Sequence, residues 1–264
     1  IHPLLKDKKY VVSMSWVGNQ TTHEISALSK FSLVKNWKDF SSVAKEFSVP
    51  GQNIVYADTA GNIGWRAAAL IPIRKEGGSL LPRPGWDPDY DWKGFIPFEE
   101  MPYLYNPNKG YIATANNKIV DETFPYYISN QWAEPSRIER IEEYIQSKEK
   151  MSVNDMKSLQ NDMLSSFARE VTPNIIKHFP NNLKGNKKAA YNYLKNWDYI
   201  ENHNSAATLV FHVILDELLN NIYKDELDLV HEKAFDALVH FSMLPYRNIH
   251  WVCLLYTSPS PRDS

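Results

Sequence analysis

The composition of this sequence shifts near Ser136, from mostly strand-like runs and aromatic loops to segments with the three-to-four-residue spacing of helices. A chain ordered in this way segregates its sheet from its helices, because one stretch cannot present both periods to the same core. An α+β fold with a helical extension is therefore expected. Upstream of the change, residues 10–17 set Val12, Met14 and Trp16 against Ser13 and Ser15, which predicts a half-buried strand. Residues 53–57 and 63–69 read as a β-hairpin around 58–62, where Gly61 and Asn62 tolerate positive φ. Residues 111–115 predict a further strand that ends at Asn116 and Asn117. Residues 72–107 are crowded with Pro, Gly and aromatic side chains, which bars a helix or central strand and predicts an ordered, irregular segment.

One helix is expected within the strand-rich half. Asn36 is its N-cap, Asp39 stands at the third helical position, and Trp37, Phe40, Val43, Ala44 and Phe47 recur at helical spacing before Pro50 and Gly51. From Ser136 on, Ile138, Ile141, Tyr144 and Ile145 share a face, and Ser152 with Asp155 caps a run through Met156, Leu159, Met163, Leu164 and Phe167. Further helices are expected over 173–179, 188–196 and 206–223. Residues 1–135 thus form a strand-rich part with aromatic loops and residues 136–252 a mainly helical part, without requiring two domains. The Ser/Pro-rich stretch 253–264 resembles a translated adapter tail and is set aside from fold reasoning.

At 264 residues and 43% hydrophobic content the chain can bury a sizeable core. Its 29 Lys and Arg against 31 Asp and Glu supply no global field for nucleic acid or an anionic membrane, so neither is expected as a partner. No run approaches the roughly 20 apolar residues that span a bilayer. The lone cysteine, Cys253, excludes a disulfide or a multi-thiolate metal site within the chain. The nucleophile-elbow, phosphate-loop, dinucleotide and zinc-helix motifs are all missing.

Several constellations remain. His212 and Asp216 stand four apart on an expected helix, a spacing more often found in surface pairs than in metal sites. Asp87, Asp89 and Asp91, interleaved with Trp86, Tyr90 and Trp92, suit either a solvated turn or a carbohydrate site with paired acids. Asn116, at the end of an expected strand, is placed to donate to a developing oxyanion at little reorganisation cost. Arg137, at the start of the helical region, is either a surface arginine or a cation that keeps a nearby amine neutral.

Context for these residues comes from motifs in sequence order: NIVYAD at 53–58, GNIG at 61–64, LPRPGW at 81–86, DWKGFIPFEE at 91–100, NPNKG at 106–110 and YIATANN at 111–117. WAEPSRI at 132–138 follows, then LKNWD at 194–198 and NSAA at 204–207. Together they resemble the catalytic β chain of the penicillin acylase family of N-terminal-nucleophile hydrolases. The resemblance implies a partial four-layer αββα sandwich over 1–252. It implies amide hydrolysis by a serine exposed at the start of the β chain after autoproteolysis, whose own α-amine serves as general base.

In this resemblance Asn116 is the side-chain donor of the oxyanion hole, and Arg137 is the arginine that supports the catalytic groups. Gln52 falls near where some relatives line the acyl pocket, although a polar residue at a hairpin edge explains it as well. The serine is expected to lie outside these residues, so that the chain alone is inactive and needs the α chain and the rest of the β chain of the same precursor. No cofactor is required. Phe124, Pro125, Tyr126 and Tyr127 offer no acid where some relatives hold calcium, so no metal ligand is assigned here, and any calcium falls to residues outside this chain. An N-acyl amide is the expected substrate, whether a β-lactam side chain, an acyl-homoserine lactone or another amide, and a periplasmic or secreted location is implied by family analogy. The rival class is a non-catalytic, aromatic-rich module that binds carbohydrate or peptide around residues 86–92.

Overall fold

The computed structural model describes residues 11–75, 82–230 and 235. The chain divides into two compact units, one of Ile1–Thr114 with Lys118–Asn130 and the other of Ala115–Asn117 with Gln131–Ser264.

The first unit holds helices α1 (Glu24–Phe31) and α2 (Trp37–Ala44) and an antiparallel three-stranded sheet of β1 (Gln52–Ala57), β2 (Ile63–Ala68) and β3 (Tyr103–Tyr105) in that order. Helix α2 starts where expected, because Asn36 Oδ1 accepts from Asp39 N–H at 3.0 Å. Its Phe40 and Ala44 are buried, and Ala44 packs with Ala27, Phe47 and Ala68. Asp58 closes the hairpin, its Oδ1 accepting from the backbone N–H of Ala60 at 3.0 Å and of Asn62 at 2.9 Å. Gly61 takes a φ of +86°, as the turn requires. Asn106 then ties the loop to the next strand, accepting from Ile63 N–H at 2.9 Å and donating to Asn62 Oδ1 at 2.8 Å.

Aromatic rings fill one side of this sheet. Trp37 stacks on Tyr105 with centroids 4.9 Å apart and lies directly over Gly64, where any Cβ would overlap its ring. Arg66, only 8% exposed, runs beneath Phe98 and Tyr103, its guanidinium carbon 4.1 and 4.7 Å from their centroids. Its Nε donates to Ser41 Oγ at 2.9 Å. Burial holds its pKa below the ordinary arginine value. A second cluster, Trp65, Ala67, Ile96 and Met101, is joined by Ile112, Ile119 and Tyr126.

The second unit carries α3 (Ser136–Gln146), α4 (Val153–Gln160), α5 (Ser166–Lys177), α6 (Gly185–Lys195) and α7 (Ala206–Val230). The capping box of Ser152 and Asp155 forms as expected. Phe211, Leu194, Leu219 and Val171 are fully buried and centre the core. Arg140 reaches from α3 to Asp162 at 2.5 Å, while Arg169 on α5 meets Glu143 on α3 at 2.8 Å.

Four expectations are corrected. Residues 11–16 form no strand and run into a 3₁₀ turn at Val17–Asn19; Val11 is 96% and Met14 72% exposed, so the alternation meets no partner among the described residues. Residue 10 lies outside the described residues. Residues 111–115 are likewise not a strand, and the third strand comes from the segment read as irregular, because Tyr103–Tyr105 finds β2 as a neighbour. The run from Met156 to Phe167 breaks after Gln160, and the Asp162 carboxylate, which also accepts from Leu164 N–H at 2.8 Å, turns the chain into α5. Helix α5 begins at Ser166, so Pro173 sits inside it rather than at its start. The stretch 253–264 lies outside the described residues.

Two outcomes follow from this packing. Gly64→Ala should destabilise the first unit by about 1–3 kcal/mol, the usual range for overpacking, read from urea denaturation. Glu24 Oε1 accepts from Ser48 N–H at 3.0 Å and Val49 N–H at 2.9 Å. The Thr22 hydroxyl and these N–H groups lower its pKa from 4.5 to about 2. A depressed carboxylate contributes its stability in full above its unfolded value and loses it as pH falls through the folded one. Thermal scans should show Glu24→Ala melting below the unsubstituted protein at neutral pH, with the gap closing between about pH 4.5 and 2.

Candidate active site

Asn116 takes a φ of +60°, in the left-handed region that asparagine enters more readily than most residues. The turn is tight: Ala115 is buried, and its N–H donates to Asn117 Oδ1 at 3.0 Å. A second segment of the same unit holds this turn from outside. Ala133 N–H donates to the Asn116 carbonyl at 2.9 Å. Arg137 Nη2 donates both to the Ala115 carbonyl at 2.7 Å and to Asn116 Oδ1 at 2.9 Å. These bonds occupy carbonyls that a strand neighbour would otherwise take, which is why residues 111–115 need no sheet partner at that end.

The pairing has one chemical consequence. A guanidinium only donates, so Asn116 must turn its oxygen to Arg137 and present Nδ2 elsewhere. Among the described residues nothing accepts from Nδ2, and the side chain is exposed. The result is an oriented amide N–H₂ on a constrained turn. Arg137 stands in the first turn of α3, where the positive end of the helix dipole disfavours a cation by a few tenths of a kcal/mol or more. A merely solvated arginine gains nothing from that position. The structure thus brings Asn116 and Arg137 together, as a pair no spacing rule would join across 21 residues.

The other candidates fare differently. Gln52 is exposed at the first position of β1, paired through its backbone register with Ala68, and belongs to the first unit. Asp87 caps its own 3₁₀ turn by accepting from Asp89 N–H at 3.0 Å, and Asp89 pairs with Lys75. Asp87 and Asp89 thus sit in a capped turn, as the solvated-turn alternative expects. His212 Nε2 lies 3.4 Å from Glu201 Oε2, and no group of three or more metal-binding side chains occurs among the described residues. Asp58 is saturated by donors from Asn62, Tyr56 and Ala60, which lower its pKa to about 2. In the groove of about 390 Å³ beside α2, Lys45 is paired with Glu99 and Arg66 with Ser41. Glu134 was not singled out by motif reading. Its carboxylate accepts from Ser136 N–H at 2.9 Å and from the Ser136 hydroxyl, a role hinted at only by an acid two residues before a helix start.

Comparison with known proteins gives the fold and the family. The penicillin G acylase of Alcaligenes faecalis superposes with a TM-score of 0.68 over 90% of this chain and 46% of its own, at 24% identity, and so shares the fold. The penicillin amidase profile matches residues 3–260, and the chain belongs to that family. An acyl-homoserine lactone acylase of Pseudomonas fluorescens is 30% identical over 84% of this chain, and a penicillin acylase 2 proenzyme of a Pseudomonas species is 38% identical over 43% of it. The chain spans 29% and 15% of the lengths of these two relatives.

Arg137→Ala should raise amide hydrogen exchange in peptides covering residues 113–117 and 131–138, because it removes the bonds to Ala115 and Asn116. Asp87→Ala should leave those peptides unchanged.

Proposed function

We propose that this chain supplies the oxyanion-stabilising side of an amide hydrolase that works through an acyl-enzyme. The observation that supports the reading best is the Arg137–Asn116 pair, which orients one amide N–H₂ that has no acceptor among the described residues. As a nucleophile adds to an amide carbonyl, charge gathers on the carbonyl oxygen, and a preorganised N–H donor stabilises it without having to reorient. Asn116 Nδ2 is that donor. Arg137 holds it and adds positive charge behind it. The nucleophile is an N-terminal serine carried outside these 264 residues, with its α-amine as base. Collapse of the tetrahedral intermediate expels the amine, and water then hydrolyses the ester.

The same reading extends to the whole molecule. The sheet and helices belong to an αββα sandwich completed by the α chain and the rest of the β chain, and the enzyme is periplasmic or secreted. It needs no cofactor for the chemistry, and any calcium is held by residues outside this chain. The substrate is a small N-acyl amide of the kind penicillin acylases cleave. A second substrate, an acyl-homoserine lactone, is favoured by the relative that matches 84% of this chain. Assay of the full-length processed enzyme on both classes separates them.

In that enzyme Asn116→Ala should lower kcat on the order of 10²-fold or more, in line with loss of one oxyanion donor. An unchanged rate removes Asn116 from the mechanism.

A further inference from the structure

The hold on Asn116 comes from two residues of one turn, Ala133 through its backbone N–H and Arg137 through its guanidinium. Where those two groups stand relative to each other depends on how residues 134–136 enter α3. Pro135 is the N-cap of that helix and makes no side-chain capping bond, so the first helical N–H, on Ser136, needs an acceptor from elsewhere. Glu134 provides it. One carboxylate oxygen accepts from Ser136 N–H at 2.9 Å and the other from the Ser136 hydroxyl. Glu139 N–H bonds the Pro135 carbonyl at 3.0 Å and continues the helix from there. The half-buried carboxylate also places negative charge at the helix end that carries Arg137, where the dipole favours an anion and disfavours the cation.

We propose that Glu134 is a positioning residue, which sets the Asn116 amide by closing the 133–137 turn. The proposal rests on the reading of Asn116 as an oxyanion donor. In this proposal Glu134 acts through Ala133, Arg137 and Asn116 rather than on the reacting groups. Displacements of about 1 Å in a catalytic group cost up to 10²-fold in rate, and a loosened turn moves both anchors of the amide together.

The test is a double-mutant cycle in the full-length processed enzyme, with kcat and KM measured for Glu134→Ala, Glu134→Gln, Asn116→Ala and the combinations. Expected is a fall in kcat of about 10-fold or more for Glu134→Ala at nearly constant KM. Glu134→Gln, which keeps one acceptor oxygen, should recover part of it. In the Asn116→Ala background the Glu134 substitutions should have no further effect on kcat, because the group they position is gone. Equal losses in both backgrounds, or an unchanged kcat for both Glu134 variants, overturn the proposal. Should Glu134→Ala fail to fold, Glu134→Gln carries the cycle by itself under the same criteria. If Asn116→Ala itself leaves kcat intact, the oxyanion reading fails first, and this outcome is distinct from a failure of Glu134 alone.

Discussion

A guanidinium has donors and no acceptor, and that asymmetry organises the candidate site. Arg137 Nη2 grips the Ala115 carbonyl and Asn116 Oδ1 together, so the turn at 115–117 and the orientation of its side-chain amide are set by one group. The left-handed backbone of Asn116 is tolerable because asparagine suits it and because Ala133 holds its carbonyl. Without the arginine, the amide could flip, and the N–H₂ and the oxygen would compete for the same position. The local cost is modest: a cation in the first turn of α3, at the helix end where the carboxylate of Glu134 accepts from Ser136 N–H.

The first unit solves a different problem with the same residue type. Arg66 is buried on β2 and is accommodated by aromatic faces on two sides and by Ser41, rather than by a carboxylate in direct contact. Desolvation lowers its pKa without threatening its charge, since arginine starts far above neutrality. Phe98 and Tyr103 lie against its guanidinium, and Trp37 lies over Gly64 on the same strand. Near Arg66 those rings are packing.

Local signals were legible where the chemistry is local. The Asn36 cap, the hairpin loop of Asp58 to Asn62 and the capping box of Ser152 and Asp155 each join residues a few positions apart, and each forms as its residues require. Alternation at 10–17 and strand-like content at 111–115 misled, because a strand exists only beside a neighbour that pairs with it. Tyr103–Tyr105 shows the converse, a strand in a Pro-rich stretch made possible by β2. The Glu134 contact to Ser136 is also local, yet its importance comes from what residues 133 and 137 reach across the chain.

By itself the sequence determined that a strand-rich stretch precedes a mainly helical one, where several caps and turns fall, and, through ordered motifs, which family the chain belongs to and which asparagine and arginine to watch. Only the tertiary structure decided that these two side chains meet, which atom of the amide faces the cation and which is left to donate. The reason is that a period or a cap is written within a few residues, whereas the bond from Arg137 to Asn116 spans 21 residues and depends on a helix start and a turn being folded against each other.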